Sequence, residues 1–402
     1  MEKLQEEKVF RDPIHGYVRV QYKVIWDCII TKEMQRLRRV KQLGSTSFVY
    51  HTGEHSRFAH SLGVYEIVRR MISEVSDLAN CLTEYEKICV MLAGLLHDVG
   101  HAPFSHSFES ITKTNHEYYT IQLIKSNSQI ADVLDKYDTN LKNDICSIID
   151  GSYHNQILCQ LISSQLDADR MDYLLRDSYF TGTAYGQFDL ERVLRTMRVC
   201  QDKLVIKQSG IHTIEDYIMA RYHMYWQVYY HNVSRSFEAV LNRLFTRLRD
   251  LSQYDNTYLE KYPMYRALLS KEVLSNDEFF LLDDGCCWYS FILMQQDEDK
   301  VLADLAQRII ERNLFGFKDI AYCQEIKNKL INSNYPIEYY LYTDQQKQSP
   351  YKPYSKNPSH YIWILQQDGT VEELSKVSNI VSSICNDQTS DEKVFYPKEI
   401  NY

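Results

Sequence analysis

Apolar residues recur along most of this chain at the three-to-four-residue spacing of a buried helix face, and that pattern predicts a mainly helical protein. Ser61 to Ala79 carries Leu62, Val64, Ile67, Val68, Met71, Ile72 and Val75 on one side. Thr83 with Glu86 three residues on forms a capping box, which starts a helix running through the apolar stretch Ile88–Leu96 to His97. Thr31 to Leu43 reads as an amphipathic basic helix, and further helices are expected over 116–126, 154–165, 169–179, 212–250, 298–313 and 320–332. Strand signals are fewer. Leu194–Val199 and Lys203–Gln208 flank Gln201-Asp202 as a hairpin. Ile337–Tyr342 and His360–Leu365 are rich in aromatic and branched residues, Gln367-Asp368-Gly369 supplies a turn, and Thr343–Ser359 looks like a loop. The expected architecture is a large helical body over roughly 1–320 with a smaller α+β C-terminal lobe. Within it, 1–50 is an N-terminal segment and basic helix packed on a core over 51–180, 181–320 is a helical extension, and 321–402 is the lobe.

The 402 residues are 44% apolar and 25% charged, which is ample for a packed core and excludes disorder as the main character. Ile88–Leu96 is the longest uninterrupted apolar stretch, far short of the ~20 residues that cross a bilayer. The opening Met1–Glu7 is polar and lacks a secretory core, so a cytoplasmic protein with no membrane partner is expected. The ten cysteines include no Cys-x-x-Cys pair and are expected to be reduced. A net charge of −9 argues against a broad nucleic-acid footprint. Arg36, Arg38, Arg39 and Lys41 nonetheless concentrate positive charge, either as a phosphate site or as a solvated helix face. Tyrosine is frequent, at 32 residues, and Arg221, Tyr225 and Tyr229 share a helix face at i, i+4 and i+8. That face is either a core surface or a nucleotide wall.

Histidine and aspartate then change the picture. His60, His97-Asp98, His101, His106 and His116-Glu117 precede the run Asp167-Ala168-Asp169-Arg170-Met171-Asp172-Tyr173, with Arg176-Asp177 beyond. Imidazole with carboxylate and no thiolate suits Mn, Fe, Zn or Mg. A lone His-Asp pair usually means nothing, but His97 and Asp98 end an apolar run, where unpaired ionisable groups are costly. Asp169, Tyr173 and Asp177 fall on one helix face. His51, His55, His154 and His212 are expected to be surface or loop residues.

The ordered set His60, His97-Asp98 and Asp169 resembles the H…HD…D signature of the HD-domain metal-dependent phosphohydrolases. The surrounding motifs are more specific: Asp12-Pro13-Ile14-His15-Gly16, Gln35-Arg36-Leu37-Arg38, Lys41-Gln42-Leu43-Gly44, Arg57-Phe58-Ala59-His60-Ser61-Leu62-Gly63-Val64, and Leu96-His97-Asp98-Val99-Gly100-His101-Ala102-Pro103-Phe104-Ser105-His106. Together they look like the deoxynucleoside triphosphate triphosphohydrolases, in their bacterial, HD-only form, over roughly residues 8–250. The resemblance implies a helical HD core in which His60, His97, Asp98 and Asp169 hold one divalent transition metal (Fe, Mn or Zn), with Mg²⁺ accompanying the nucleotide. It implies phosphate contact and proton transfer by His101, His106 and His116, with Glu117 orienting His116. Gln42 and Asp177 match groups around the sugar 3′-hydroxyl, and Leu43 the apolar contact that disfavours a 2′-hydroxyl. Arg57, Arg170, Tyr173 and Arg221 match phosphate contacts, and Tyr229 the ring at the nucleoside.

The reaction so implied is hydrolysis of a deoxynucleoside triphosphate to deoxynucleoside and inorganic triphosphate. The alternatives are an HD phosphohydrolase acting on a monophosphate, cyclic nucleotide or alarmone, and a non-catalytic nucleotide sensor. Lys8, Val9, Arg38 and Arg312 resemble part of an activating-nucleotide site between subunits, which implies a homotetramer with allosteric control. The acidic residue that reads guanine there falls near Ile30, and of the second regulatory pocket Lys207 is basic while Ser209 is not. Any activation is therefore expected to be base-tolerant or absent.

Overall fold

The computed structural model describes residues 1–104, 108–109, 115–270, 273–348, 351, 361–385 and 389–401. The chain opens on an antiparallel hairpin, β1 (Lys3–Asp12) and β2 (Gly16–Tyr22), which the polar sequence of the first strand had not suggested. Val18 and Val20 point inward while their neighbours face solvent, so the apolar alternation is confined to one strand. The Asp12 carboxylate accepts the backbone N–H groups of Ile14 and His15, and Gly16 at φ +70° completes the turn.

The basic segment departs from the expected single helix. Thr31 caps a short helix, Lys32–Arg36, a 3₁₀ turn covers Leu37–Arg39, and the chain is extended at Val40. Tertiary pairing ends the helix: the Val40 carbonyl accepts from Arg57 N–H and Gln42 N–H donates to the His55 carbonyl, both at 2.9 Å. The positive charges disperse accordingly. Arg36 is buried, donating to the carbonyls of Leu282 and His101. Arg39 pairs with Asp283 and Lys41 with Glu54, so these residues form neither a common phosphate site nor a uniformly solvated face.

The core follows the apolar periodicity. Helix α1 (Arg57–Glu74) packs against α2 (Glu84–Leu96), whose Thr83/Glu86 capping box is present as expected. Helix α3 (His116–Lys125) follows, and α4 (Ala168–Thr181) lies against α1. The expected helix over 212–250 is two helices. α5 (Ile211–Met224) runs into a π turn over Tyr225–Tyr229, and α6 (Asn232–Tyr254) restarts after His231. Helix α7 (Asp284–Met294) and the short helices Pro263–Ser270 and Asn276–Phe280 add to the body beyond expectation.

The expected hairpin is β3 (Met197–Cys200) and β4 (Lys203–Lys207), with Gln201 and Asp202 both at positive φ in the turn. The remaining strands are β5 (Gly316–Asp319), β6 (Tyr342–Gln348), β7 (Trp363–Leu365), β8 (Val371–Glu373) and β9 (Thr389–Tyr396). They form the sheets β3-β4-β7-β8 and β5-β9-β6. Ile337–Tyr340 is a helical turn after Pro336 instead of a strand, and β6 occupies part of the expected loop. The mainly helical architecture with small sheets toward the C-terminus stands. All ten cysteines are free thiols, and no helix among the described residues is long and apolar enough to cross a membrane.

Candidate metal centre and the adjoining cavity

Four side chains from three helices converge. His60 lies in the first turn of α1, His97 and Asp98 directly follow α2, and Asp169 opens α4. His60 Nδ1 donates to Asp172 Oδ2 at 2.8 Å and His97 Nδ1 to the Gly94 carbonyl at 2.9 Å. These bonds fix both tautomers and turn both Nε2 lone pairs inward. Both Nε2 atoms are buried with no aligned hydrogen-bond partner among the described residues. Asp169 Oδ1 lies 3.0 Å from His60 Nε2 and 3.6 Å from His97 Nε2, and Asp98 Oδ1 lies 3.3 Å from His97 Nε2. Two imidazole nitrogens and the Asp169 carboxylate face one point and fit a divalent cation, while Asp98 reaches its edge and gathers with His101 and His116 in a second cluster. The electrostatics agree. Burial opposes charge on the ring, yet Asp169 and Asp172 beside it push His60 up to about 10. Burial also opposes charge on Asp98, yet His97, the Arg57 guanidinium and a hydrogen bond from His101 hold its carboxyl well below the usual range. The field that favours a proton here favours a metal cation equally.

Asp98 links this centre to two further groups. Its Oδ2 accepts from Arg57 Nη1, and its Oδ1 is 3.3 Å from His101 Nε2. Burial, then the neighbouring Arg57 cation, holds the His101 ring neutral, with its pKa well below the imidazole range. His101 stacks on His116 with centroids 3.8 Å apart. The carboxylate on His116 is Glu109, at 2.6 Å from Nδ1, and not the expected Glu117. Glu117 is exposed, because adjacent residues at a helix start point about 100° apart. His106 lies outside the described residues.

Beside the centre is a cavity of about 420 Å³ whose walls include Gln42, Leu43, Arg57, Phe104, Tyr173, Asp177, Tyr225 and Tyr229. Asp169, Tyr173 and Asp177 thus share a face as expected, the first at the metal centre and the other two at the cavity. Asp177 accepts from the Tyr229 hydroxyl at 2.7 Å and pairs with His55 Nε2 at 2.8 Å. His55 is therefore a buried part of this wall and not the surface residue expected. The buried Gln42 Oε1 has no hydrogen-bond partner among the described residues. Arg170 and Arg221 do not line the cavity. Arg170 Nη1 donates instead to Asp167 and the Ser164 carbonyl. The π turn carries Tyr225 and Tyr229 into the wall while Arg221 stays behind on α5. Arg235 and Glu238 of α6 and Gln346 of β6 also line the cavity, and nothing in the sequence pattern had marked them.

The loop bearing Gln42 and Leu43 is pinned at both ends. Gly44, at φ +47°, sits where a Cβ would come within 3.3 Å of Phe104 Cα. Lys41 N–H donates to Asp284 Oδ2 at 3.0 Å. Burial pushes the Asp284 carboxyl up to about 6. Because the folded value lies above the unfolded one, protonated Asp284 costs nothing at low pH, and stability falls as pH rises from about 4 to about 6. Asp284→Asn, which keeps the acceptor, is expected to remove a penalty on the order of 3 kcal/mol at neutral pH. Melting temperatures of both proteins between pH 4 and 7 should converge at the acid end and diverge above it; parallel profiles would contradict this.

Lys8, Val9, Ile30 and Arg38 are exposed. The Arg38 guanidinium covers the Phe58 ring at 3.7 Å, and Arg312 donates to the Phe48 carbonyl. Lys207 and Ser209 are also exposed, at the end of β4 and just beyond it.

Two family models match this chain: the HD domain over residues 57–177 and the HD associated region over 188–270. YwfO of Bacillus subtilis is 43% identical over 408 residues, covering 99% of this chain and 94% of that protein. A deoxynucleoside triphosphate triphosphohydrolase, the SAMHD1 homolog of Dictyostelium discoideum, is 34% identical over 258 residues, 60% of this chain and 49% of that protein. Among solved structures, a phosphohydrolase from Bacteroides thetaiotaomicron superposes with a TM-score of 0.85 at 29% identity, covering 97% of this chain and all of that one.

Proposed function

The chain belongs to the HD-domain family of phosphohydrolases, and from that premise we propose that it hydrolyses deoxynucleoside triphosphates to deoxynucleoside and inorganic triphosphate. The observation that carries this reading is the junction of a His60/His97/Asp169 cluster, with Asp98 beside it in a second cluster with His101 and His116, and a cavity walled by Tyr173, Asp177, Tyr229, Gln42 and Leu43. A divalent transition ion held by His60, His97, Asp98 and Asp169 would supply a lowered water pKa and neutralise phosphoryl charge, with Mg²⁺ accompanying the nucleotide. The chain's own residues do the rest. Arg57 spans from Asp98 to the cavity and orients the polyphosphate. His116, turned by Glu109 and stacked on His101, donates to the phosphate charge and passes a proton to the departing 5′ oxygen.

Asp177 accepts the proton of the 3′-hydroxyl and the Gln42 amide N–H₂ donates to its oxygen, while Leu43 meets the 2′ edge of the sugar. A ribonucleotide then buries an unpaired hydroxyl against leucine, and dGTP should exceed GTP about 10–100-fold in kcat/KM. Product analysis with each dNTP and Mn²⁺ or Mg²⁺ tests the reaction. Deoxynucleoside plus triphosphate is expected, and pyrophosphate plus dNMP as main products would refute it. Equal efficiency on GTP and dGTP would remove the deoxynucleotide assignment.

Assembly belongs to the same proposal. A homotetramer would place a nucleotide between subunits at Lys8, Val9, Arg38 and Arg312. Ile30, 54% exposed and unable to hydrogen-bond through its side chain, makes activation base-tolerant or absent. A monomer by light scattering, with and without nucleotide, would defeat the assembly. Strict dependence on dGTP would defeat the Ile30 argument.

A further inference from the structure

The motif Asp12-Pro13-Ile14-His15-Gly16 has no part in the proposed chemistry, yet the fold buries its Asp12 and His15 side chains beneath the candidate metal centre. The His15 side chain is 1% exposed, and its Nε2 lies 2.6 Å from Asp172 Oδ1. Asp172 is fully buried and accepts on both oxygens. Oδ1 also takes Arg176 Nη2 at 2.9 Å, while Oδ2 takes Arg176 Nε and His60 Nδ1, each at 2.8 Å. Arg176 Nη1 in turn donates to Asp12 Oδ2 at 2.9 Å. Helix α1 makes room for this cluster at Gly63, where a Cβ would stand 1.9 Å from Asp172 Oδ1 and 2.4 Å from Arg176 Nη2.

We infer that His15 is a positioning residue for the metal centre: through Asp172 it fixes the tautomer and aim of His60, so the N-terminal hairpin sets metal affinity. Charge balance alone does not explain the arrangement, because the Arg176 fork already neutralises Asp172 in two parallel bonds. What His15 adds is a donor from a different element, which pins Oδ1 and leaves Oδ2 directed at His60 Nδ1. Without it the carboxylate is held by the Arg176 fork and His60 Nδ1 alone. It can then turn about that fork, and the Nδ1–H bond that keeps the His60 Nε2 lone pair inward weakens. Outer partners of this kind are worth about 10–100-fold in metal affinity.

This inference rests on His60 being a metal ligand, and the test separates the two. Full-length wild type, His15→Ala and His15→Gln are titrated with Mn²⁺ after chelator treatment, with Kd read by calorimetry and bound metal by mass spectrometry. Metal-free melting is recorded in parallel. His15→Ala should weaken Mn²⁺ binding about 10–100-fold. His15→Gln, whose amide N–H₂ reaches a similar point, should recover most of that loss, which a role in folding alone would not produce. Should the alanine variant fail to fold, His15→Phe fills the volume without a donor and carries the same expectation. An unchanged Mn²⁺ Kd in a folded donor-less variant overturns the role of His15 while leaving the metal centre standing. Absence of Mn²⁺ binding in wild type overturns both.

Discussion

Asp98→Ala is expected to remove bound metal and hydrolysis together. Asp98 Oδ1 faces His97, and Oδ2 faces His60 and accepts from Arg57, so its loss would delete a proposed ligand and remove one acceptor of a buried guanidinium. The same change frees Arg57 from the position in which it bridges centre and cavity. Outer partners of metal ligands are worth about 10–100-fold, and loss of a ligand should exceed that range in metal affinity. The expected outcome is no detectable product from any dNTP and less than stoichiometric metal by mass spectrometry. Full metal occupancy in a folded Asp98→Ala protein would remove Asp98 from the centre. Asp98→Asn offers a control that keeps the volume and a donor-acceptor pair while removing the charge. It should retain the melting temperature better than alanine without regaining metal.

His116→Ala carries the second large effect. Its ring stacks on His101 and is turned by Glu109, so it presents Nε2 away from that carboxylate. Removing one such donor to developing charge costs about 10²–10³ in turnover. The ring is only half-buried, so the fold should survive, with an unchanged circular dichroism spectrum and retained metal. Glu109→Gln should cost less, because it disturbs orientation and basicity without deleting the ring. A loss under tenfold in kcat for His116→Ala would leave proton delivery to another residue.

How much of this was legible depends on which force fixed each element. Helices α1, α2 and α4 were readable because burial imposes the 3.6-residue period directly, and the Thr83/Glu86 box marks its own boundary. The shared face of Asp169, Tyr173 and Asp177 was readable from helix spacing, whereas the grouping of His60, His97 and Asp169 across three segments was implied only by the family resemblance. Elements set by distant partners were not. The β1–β2 hairpin is polar along its outer strand, and the basic helix ends early because residues 40–42 pair with 55–57. The same blindness assigned the orienting carboxylate to Glu117 beside His116 instead of Glu109, and left His55 on the surface. Both errors take sequence neighbourhood for spatial neighbourhood. Arg36 shows the converse: it sits in an apparent charge run, yet it is buried and capped by two carbonyls.

The span closed by the His15–Asp172 bond, 157 residues along the chain, has a consequence in time. At about 5–20 residues per second, the ribosome finishes the hairpin roughly 8–30 s before it delivers the aspartate that the hairpin must grip. His60 is made within that interval, and until α4 is synthesised it has neither Asp169 nor Asp172 to complete its surroundings. Filling of the proposed metal centre would therefore be a late event in biogenesis, following synthesis of the first turns of α4. An ion that arrives earlier meets a histidine-bearing nascent chain and not a finished site. Synonymous changes that slow translation between the hairpin and α4 should lengthen that window without altering the protein that finally forms.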